Sequence, residues 1–288
     1  MRGTAGLRAL PRPVAVAVGG GGVLGAAHAG VGYALEQRGF VPDLIVGTSV
    51  GALTGAIAAA HPDRAAPRLD DVWTRLRRRD VFPLGPPWSR PGLCADSGLR
   101  RLIGRAGLPS SIEELPIPFT AVAMDLAGGD EVLLDRGDLE SALLASAAIP
   151  GVFPPVVRGG RTLVDGGVVA YVPVCAAWRA GAASVVVLSV GPSPSGPPPP
   201  RAGAIAARAG DLLFRHQVER DLREVARHVP TVVLPTGVEV WPAPWDFGQA
   251  RRLIRTAAAT AGGFLDRLEV DGPGLYRASA RVPAGAGR

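Results

Sequence analysis

The chain has 288 residues, a formal net charge of +6, 47% hydrophobic and 19% charged residues, enough apolar material for a packed α/β domain and too little charge for a disordered chain. All 31 Lys+Arg positions are Arg, which excludes a Walker A lysine, Schiff-base chemistry and a Ser–Lys dyad. Cys94 and Cys175 are too few for a disulfide framework or a cysteine metal cluster, and His28, His61, His216 and His228 lack HExxH spacing, so the sequence implies a reducing, cytoplasmic setting and no metal.

The basic excess falls in short clusters, Arg77 to Arg79, Arg100, Arg101 and Arg105, and Arg251, Arg252 and Arg255. These read as solvated helix faces, with peripheral contact to an anionic membrane as their second use. No zinc-finger spacing or RNA-binding aromatic motif accompanies them, so no nucleic-acid partner is expected.

The first thirty residues imitate a secretory leader, with Arg2, Arg8 and Arg12 ahead of an apolar stretch and Ala27-His28-Ala29 in the place of a cleavage site. Gly19 to Gly22 interrupt that stretch, and a glycine run makes a poor hydrophobic helix. A buried strand, a turn and a buried helix account for it better, with neither signal peptide nor transmembrane segment assigned.

Val14 to Val18 predicts a buried strand, Gly19 to Gly22 a turn, and Val23 to Arg38 a helix ended by Gly39. Leu44 to Val46 predicts a second strand, and a sharp turn over 47–51 leads into a helix that His61-Pro62 closes. Two successive βα units imply a parallel sheet covered by helices. Residues 63–116 turn Arg- and Pro-rich, with helices near Leu69 to Arg78 and Gly98 to Arg105, and read as a cap or edge insertion. Hairpins are expected for Phe119 to Met124 with Glu131 to Leu134, and around Gly159-Gly160, with a helix between them capped by Asp138 and stopped at Pro150. Ser184 to Val190 is a further strand, 191–200 a Pro-rich surface loop, Ala202 to His228 an amphipathic helix, Thr231 to Leu234 a strand, and Gln249 to about Leu268 a helix. One domain over 13–270 is expected, with 271–288 as a frayed tail. No internal repeat is visible.

Gly47-Thr48-Ser49-Val50-Gly51 is a GxSxG pentapeptide between a predicted strand and a predicted helix, the frame of a nucleophile elbow at Ser49. Gly20 to Gly25 is formally GxGxxG, which also suggests a Rossmann-like nucleotide-binding module. A Rossmann unit wants an acidic residue ending the second strand; Thr48 and Ser49 stand there, and Asp43 lies at the other end. The alternative use of the loop is an oxyanion hole of backbone N–H groups. For the base, His216 or His228 would complete a Ser-Asp-His triad of α/β-hydrolase order, although both lie in a predicted helix. Asp165 is the better candidate, at the end of a strand and before Gly166-Gly167, with a plain Asx turn as its alternative reading.

Taken in order, the glycine loop, Gly47 to Gly51, Ala145-Ser146-Ala147-Ala148-Ile149-Pro150 and Asp165-Gly166-Gly167 resemble the four blocks of the patatin-like phospholipase family. The resemblance implies a three-layer α/β/α fold with a mostly parallel central sheet. It further implies a Ser49–Asp165 dyad, an oxyanion loop at Gly20, Gly21 and Gly22, and supporting glycines at Gly25, Gly47, Gly51, Gly166 and Gly167. The implied activity is hydrolysis of lipid acyl esters through an acyl-enzyme, with no metal or organic cofactor. Leu24 departs from the pattern, where Arg or Lys is usual, and so does Ala170-Tyr171, where polar residues are usual. Trp241, Trp245 and Phe247 have two readings: they pack their loop onto the core, or they sit at headgroup depth beside the Arg excess as points of membrane contact.

Overall fold

Strand β1 (Val14–Val18) buries Val14, Val16 and Val18 on one face and Ala15 and Ala17 on the other. A strand apolar on both sides needs a helical layer against each. The computed structural model, which describes residues 5–83, 92–190, 200–238 and 246–278, supplies both layers.

In chain order the elements begin with α1 (Ala5–Arg8), β1, a 3-10 turn (Gly22–Gly25), α2 (Ala26–Glu36), β2 (Leu44–Thr48), α3 (Val50–Ala60), α4 (Ala65–Arg75), α5 (Arg78–Val81) and α6 (Ser97–Arg105). The middle of the chain gives β3 (Phe119–Asp125), β4 (Glu131–Leu134), α7 (Leu139–Ser146), β5 (Val156–Arg158), β6 (Arg161–Asp165), α8 (Gly167–Ala170), α9 (Val174–Arg179) and β7 (Ser184–Leu188). It closes with α10 (Ala202–Ala226), β8 (Pro230–Leu234), a 3-10 turn (Phe247–Gln249), α11 (Ala250–Leu265) and β9 (Gly274–Arg277).

Among the described residues the sheet runs β5-β6-β3-β2-β1-β7-β8-β9, with β4 paired to β3. The six strands from β3 to β9 along this order are parallel, and β4, β5 and β6 join antiparallel as the two expected hairpins. Helices α2, α3 and α11 pack with Val16, Val18 and Leu188, while α9 and α10 pack with Ala15, Ala17, Val185 and Val187 on the opposite face. The result is the three-layer α/β/α arrangement, and the leader-like stretch is its central strand and a core helix.

Three expectations need correction. The segment from Asp271, expected to fray, supplies β9, whose Leu275 and Tyr276 pair in parallel with Thr231 and Val232. The folded unit also begins before residue 13, because Leu7 and Leu10 are buried in the main core. The helix after the glycine loop starts as a 3-10 turn and ends at Glu36, two residues short of Arg38. In segment 63–116, α4 packs Leu69 and Trp73 into an apolar cluster with Ile57 and Leu253, in the same layer as α3 and α11. The Pro-rich segment up to residue 199, Trp241 and Trp245 lie outside the described residues. Phe247 is buried and stacks near Trp73, with ring centroids 6.4 Å apart, so it packs its loop onto the core. No described helix is long and apolar enough to cross a membrane.

Candidate active site

Ser49 sits between β2 and α3 with φ 58° and ψ −126°, the one non-glycine residue of positive φ among those described. Such a backbone costs about 1–3 kcal/mol and persists where its surroundings over-determine it. The two motif glycines show how. A Cβ on Gly51 would stand 2.2 Å from the Val18 carbonyl oxygen, and one on Gly47 2.4 Å from the Gly51 carbonyl oxygen. Helix α3 therefore starts in direct backbone contact with the ends of β1 and β2, and the chain between has room only for a sharp elbow.

The partner of Ser49 is brought in by β3. A strand has two edges, and β4 covers one of them over Ala121–Met124. Strand β2 takes the other as far as Val122, opposite Thr48, and β6 takes it from Ala123, opposite Asp165. Thr48 and Asp165 thus pair with consecutive residues of one strand. Across that junction Ser49 Oγ donates to Asp165 Oδ2 at 2.6 Å, while Gly167 N–H donates to Asp165 Oδ1 at 2.7 Å. Asp165 is 5% exposed. Burial pushes its pKa up from 3.8 to about 6, against the opposing hydrogen bonds from Ser49 and Gly167.

Ser146, buried at the end of α7, donates to the Val122 carbonyl at 2.6 Å and accepts the Ser49 N–H at 2.9 Å. It pins the elbow to β3. The four-block pattern contains Ser146, but its role depends on how β2 and β6 share an edge, which no local signal in the sequence reports. Asp165 is held from the same segment, since its N–H donates to the Ala148 carbonyl at 2.9 Å.

The glycine loop lies beside the elbow, with a Cβ on Gly20 falling 3.6 Å from Ser49 Cβ. Its expected role needs one correction. The Gly20 N–H donates to the Tyr171 carbonyl at 2.9 Å, so Gly20 is removed from the donor set. Gly21 (φ 140°) and Gly22 (φ 56°) carry N–H groups that have no hydrogen-bond partner among the described residues, and Gly22 is exposed. Leu24 is buried and donates its N–H to Gly21; no cation stands at that position. At the second departure, Ala170-Tyr171, two backbone carbonyls meet the site: that of Ala170 accepts from Thr48 Oγ1 at 2.8 Å, and that of Tyr171 holds Gly20.

The two histidines are elsewhere. His228 follows α10 at the entry to β8, stacked 4.5 Å from Trp178 and beside Glu224. His216 is exposed on α10. The Asp165 carboxylate is in contact with Ser49 Oγ directly, with no imidazole between them.

Similarity to known proteins covers the same part of the chain. An uncharacterized NTE family protein of Mycobacterium tuberculosis is 38% identical over 188 residues, 64% of this chain and 51% of its own. Patatin-like phospholipase domain-containing protein 6 of Homo sapiens is 31% identical over 184 residues, 62% of this chain and 13% of its own. The chain spans about half the length of the mycobacterial relative. Among solved structures, VipD from Legionella pneumophila aligns over 90% of this chain and 67% of its own, with a TM-score of 0.49 and 15% identity. The sequence model of patatin-like phospholipases matches residues 16–178, from β1 through the Ser49 elbow and Asp165 to α9. With more than half of the chain inside that match, the protein belongs to the patatin-like phospholipase family.

Proposed function

We propose that the protein hydrolyses lipid acyl esters through a Ser49–Asp165 dyad. The observation that carries this reading is the 2.6 Å hydrogen bond from Ser49 Oγ to a buried carboxylate, at a serine held in positive φ. Ser49 Oγ attacks the ester carbonyl carbon and passes its proton to Asp165 Oδ2. The carbonyl oxygen becomes an oxyanion facing the N–H groups of Gly21 and Gly22 and the first turn of α3, where the helix N-terminus favours negative charge. Collapse of this intermediate expels the alcohol, which takes the proton back from Asp165, and leaves Ser49 acylated. Water then repeats the sequence, with Asp165 as base and the fatty acid as product.

A carboxylate with an ordinary pKa is a weak base at neutral pH. Burial moves Asp165 to about 6, nearer the pH at which a general base works best while still leaving it ionised at pH 7. No cofactor is required by these steps.

The test is labelling with a fluorophosphonate, read by intact mass and peptide mapping. The expected result is a single adduct on Ser49, absent from Ser49→Ala, which folds as the wild type does. An adduct on another serine, or none on the folded protein, would overturn the assignment.

A further inference from the structure

Helix α10 is far longer than the strands it connects. Its 25 residues extend about 37 Å, against roughly 17 Å for the 5 residues of β7. In a parallel β7–α10–β8 crossover the helix begins at the C-terminal end of the strands and finishes at the start of β8, so the excess length stands out beyond the edge of the sheet where Ser49 lies. Burial agrees: Leu222, Val225 and Ala226 are buried, and the segment from 202 to 213 is largely exposed. The helix is tied to the site at its middle. Phe214 stacks on Tyr171 with centroids 5.1 Å apart, and Gln217 bonds the backbone of Val169 and Tyr171, the residue that holds Gly20.

The projecting half is patterned. At 100° per residue, Ala202, Ile205, Ala206, Ala209, Leu212 and Leu213 fall in one stripe about 120° wide, on the far side from Phe214, Leu222 and Val225. The stripe is open to solvent, with Ile205 52%, Leu212 38% and Leu213 70% exposed. Arg201, Arg208 and Arg215, seven residues apart, follow one border of the stripe, and Asp211 is the single acidic residue in that half. Val168, three residues after Asp165, adds a further 45% exposed side chain beside the site.

We propose that the projecting half of α10 is an interfacial helix that lies in the headgroup region of an anionic bilayer and sets the Ser49 site against it. An apolar stripe flanked by a row of arginines is what such a surface recognises. The inference rests on the proposed lipid hydrolysis for the reason a bilayer should be there, but the contact is measured without turnover. The overshoot fixes the place: the apolar face stands at the active-site end of the sheet, where a lipid ester has to enter.

The experiment is co-sedimentation of the full chain with vesicles of 1:1 phosphatidylglycerol and phosphatidylcholine, and with phosphatidylcholine alone. It compares the wild type, Ile205→Ser/Leu212→Ser/Leu213→Ser and Arg201→Gln/Arg208→Gln/Arg215→Gln, each checked for helix content, with hydrolysis of a soluble short-chain ester measured in parallel. The expected result is binding to the anionic vesicles that falls as salt rises, with each triple variant weakened at least about tenfold and hydrolysis of the soluble ester unchanged. Wild type that does not sediment, or variants that bind as tightly as wild type, would overturn the proposal. So would a wild-type dimer that the serine variant converts to a monomer while vesicle binding stays the same, because the stripe would then be covered by a second copy. A wild type that binds vesicles and hydrolyses no ester would leave this contact standing and count against the catalytic reading alone.

Discussion

Replacing Asp165 with Asn should stabilise the protein, and by an amount that depends on pH. Burial raises the pKa of this carboxyl from 3.8 to about 6, so between those values the folded state holds a proton that the unfolded chain has released. The stability contributed by the protonated group is fully present below about pH 4 and is lost as pH rises through about 6. A shift of about two units, at about 1.4 kcal/mol each, puts the loss near 3 kcal/mol at pH 7. Asn cannot ionise and escapes it. In urea unfolding at pH 4, 5, 6 and 7, the stability of Asp165→Asn minus that of wild type should grow by about 2 to 3 kcal/mol across the series, then level above pH 7. All other groups titrate in both proteins and cancel in the difference. His28 is the main case in point: it is fully buried, its pKa is lowered to about 4, and it makes each protein lose stability as pH falls from 6.5 toward 4. A difference that is flat with pH, or that shrinks toward neutrality, would refute the claim that desolvation dominates at Asp165.

The kcat/KM for a soluble ester should rise with pH on a single limb with an apparent pKa near 6, falling about tenfold for each unit below it; activity undiminished at pH 4.5 would contradict a buried base. Ser146→Ala should lower kcat by one to two orders of magnitude with little change in KM and cost about 1–3 kcal/mol of stability, since it leaves the Ser49 N–H and the Val122 carbonyl without their partner; partial return of kcat in Ser146→Thr would separate positioning from packing. His216→Ala and His228→Ala should each keep activity within about twofold, and loss in either folded variant would restore the triad reading.

The parts of this protein written in runs were legible from the sequence. Val14 to Val18 and Val185 to Leu188 are apolar at every position because both faces are covered, and Gly47 to Gly51 announces its elbow because no larger residue fits at the two flanking positions. Strand β9 carried no such mark: its segment Gly-Leu-Tyr-Arg is short and half-buried, and only pairing with β8 makes it a strand. The Gly20 N–H illustrates the same limit inside the site, because a carbonyl 151 positions along the chain claims it. Ser146 could be seen as part of a pattern, whereas its two hydrogen bonds exist only once α7 is laid over the junction of β2 and β6 on β3.

That junction has a consequence for how the site can vary. Because Thr48 and Asp165 are registered against neighbouring residues of β3, the separation of the Ser49 elbow from the Asp165 carboxylate is quantised by the pleat. A slip of β6 by one residue would displace the carboxylate by about 3.3 Å and turn it to the other face of the sheet. The Ser49–Asp165 contact is therefore either made or lost, and no gradual drift of a loop can stretch it. The chain between Ala123 and Asp165, with its two hairpins and α7, can lengthen or change at its exposed turns without altering that spacing, so long as Ser146 still meets Val122 and the first pairs of β6 still close on β3.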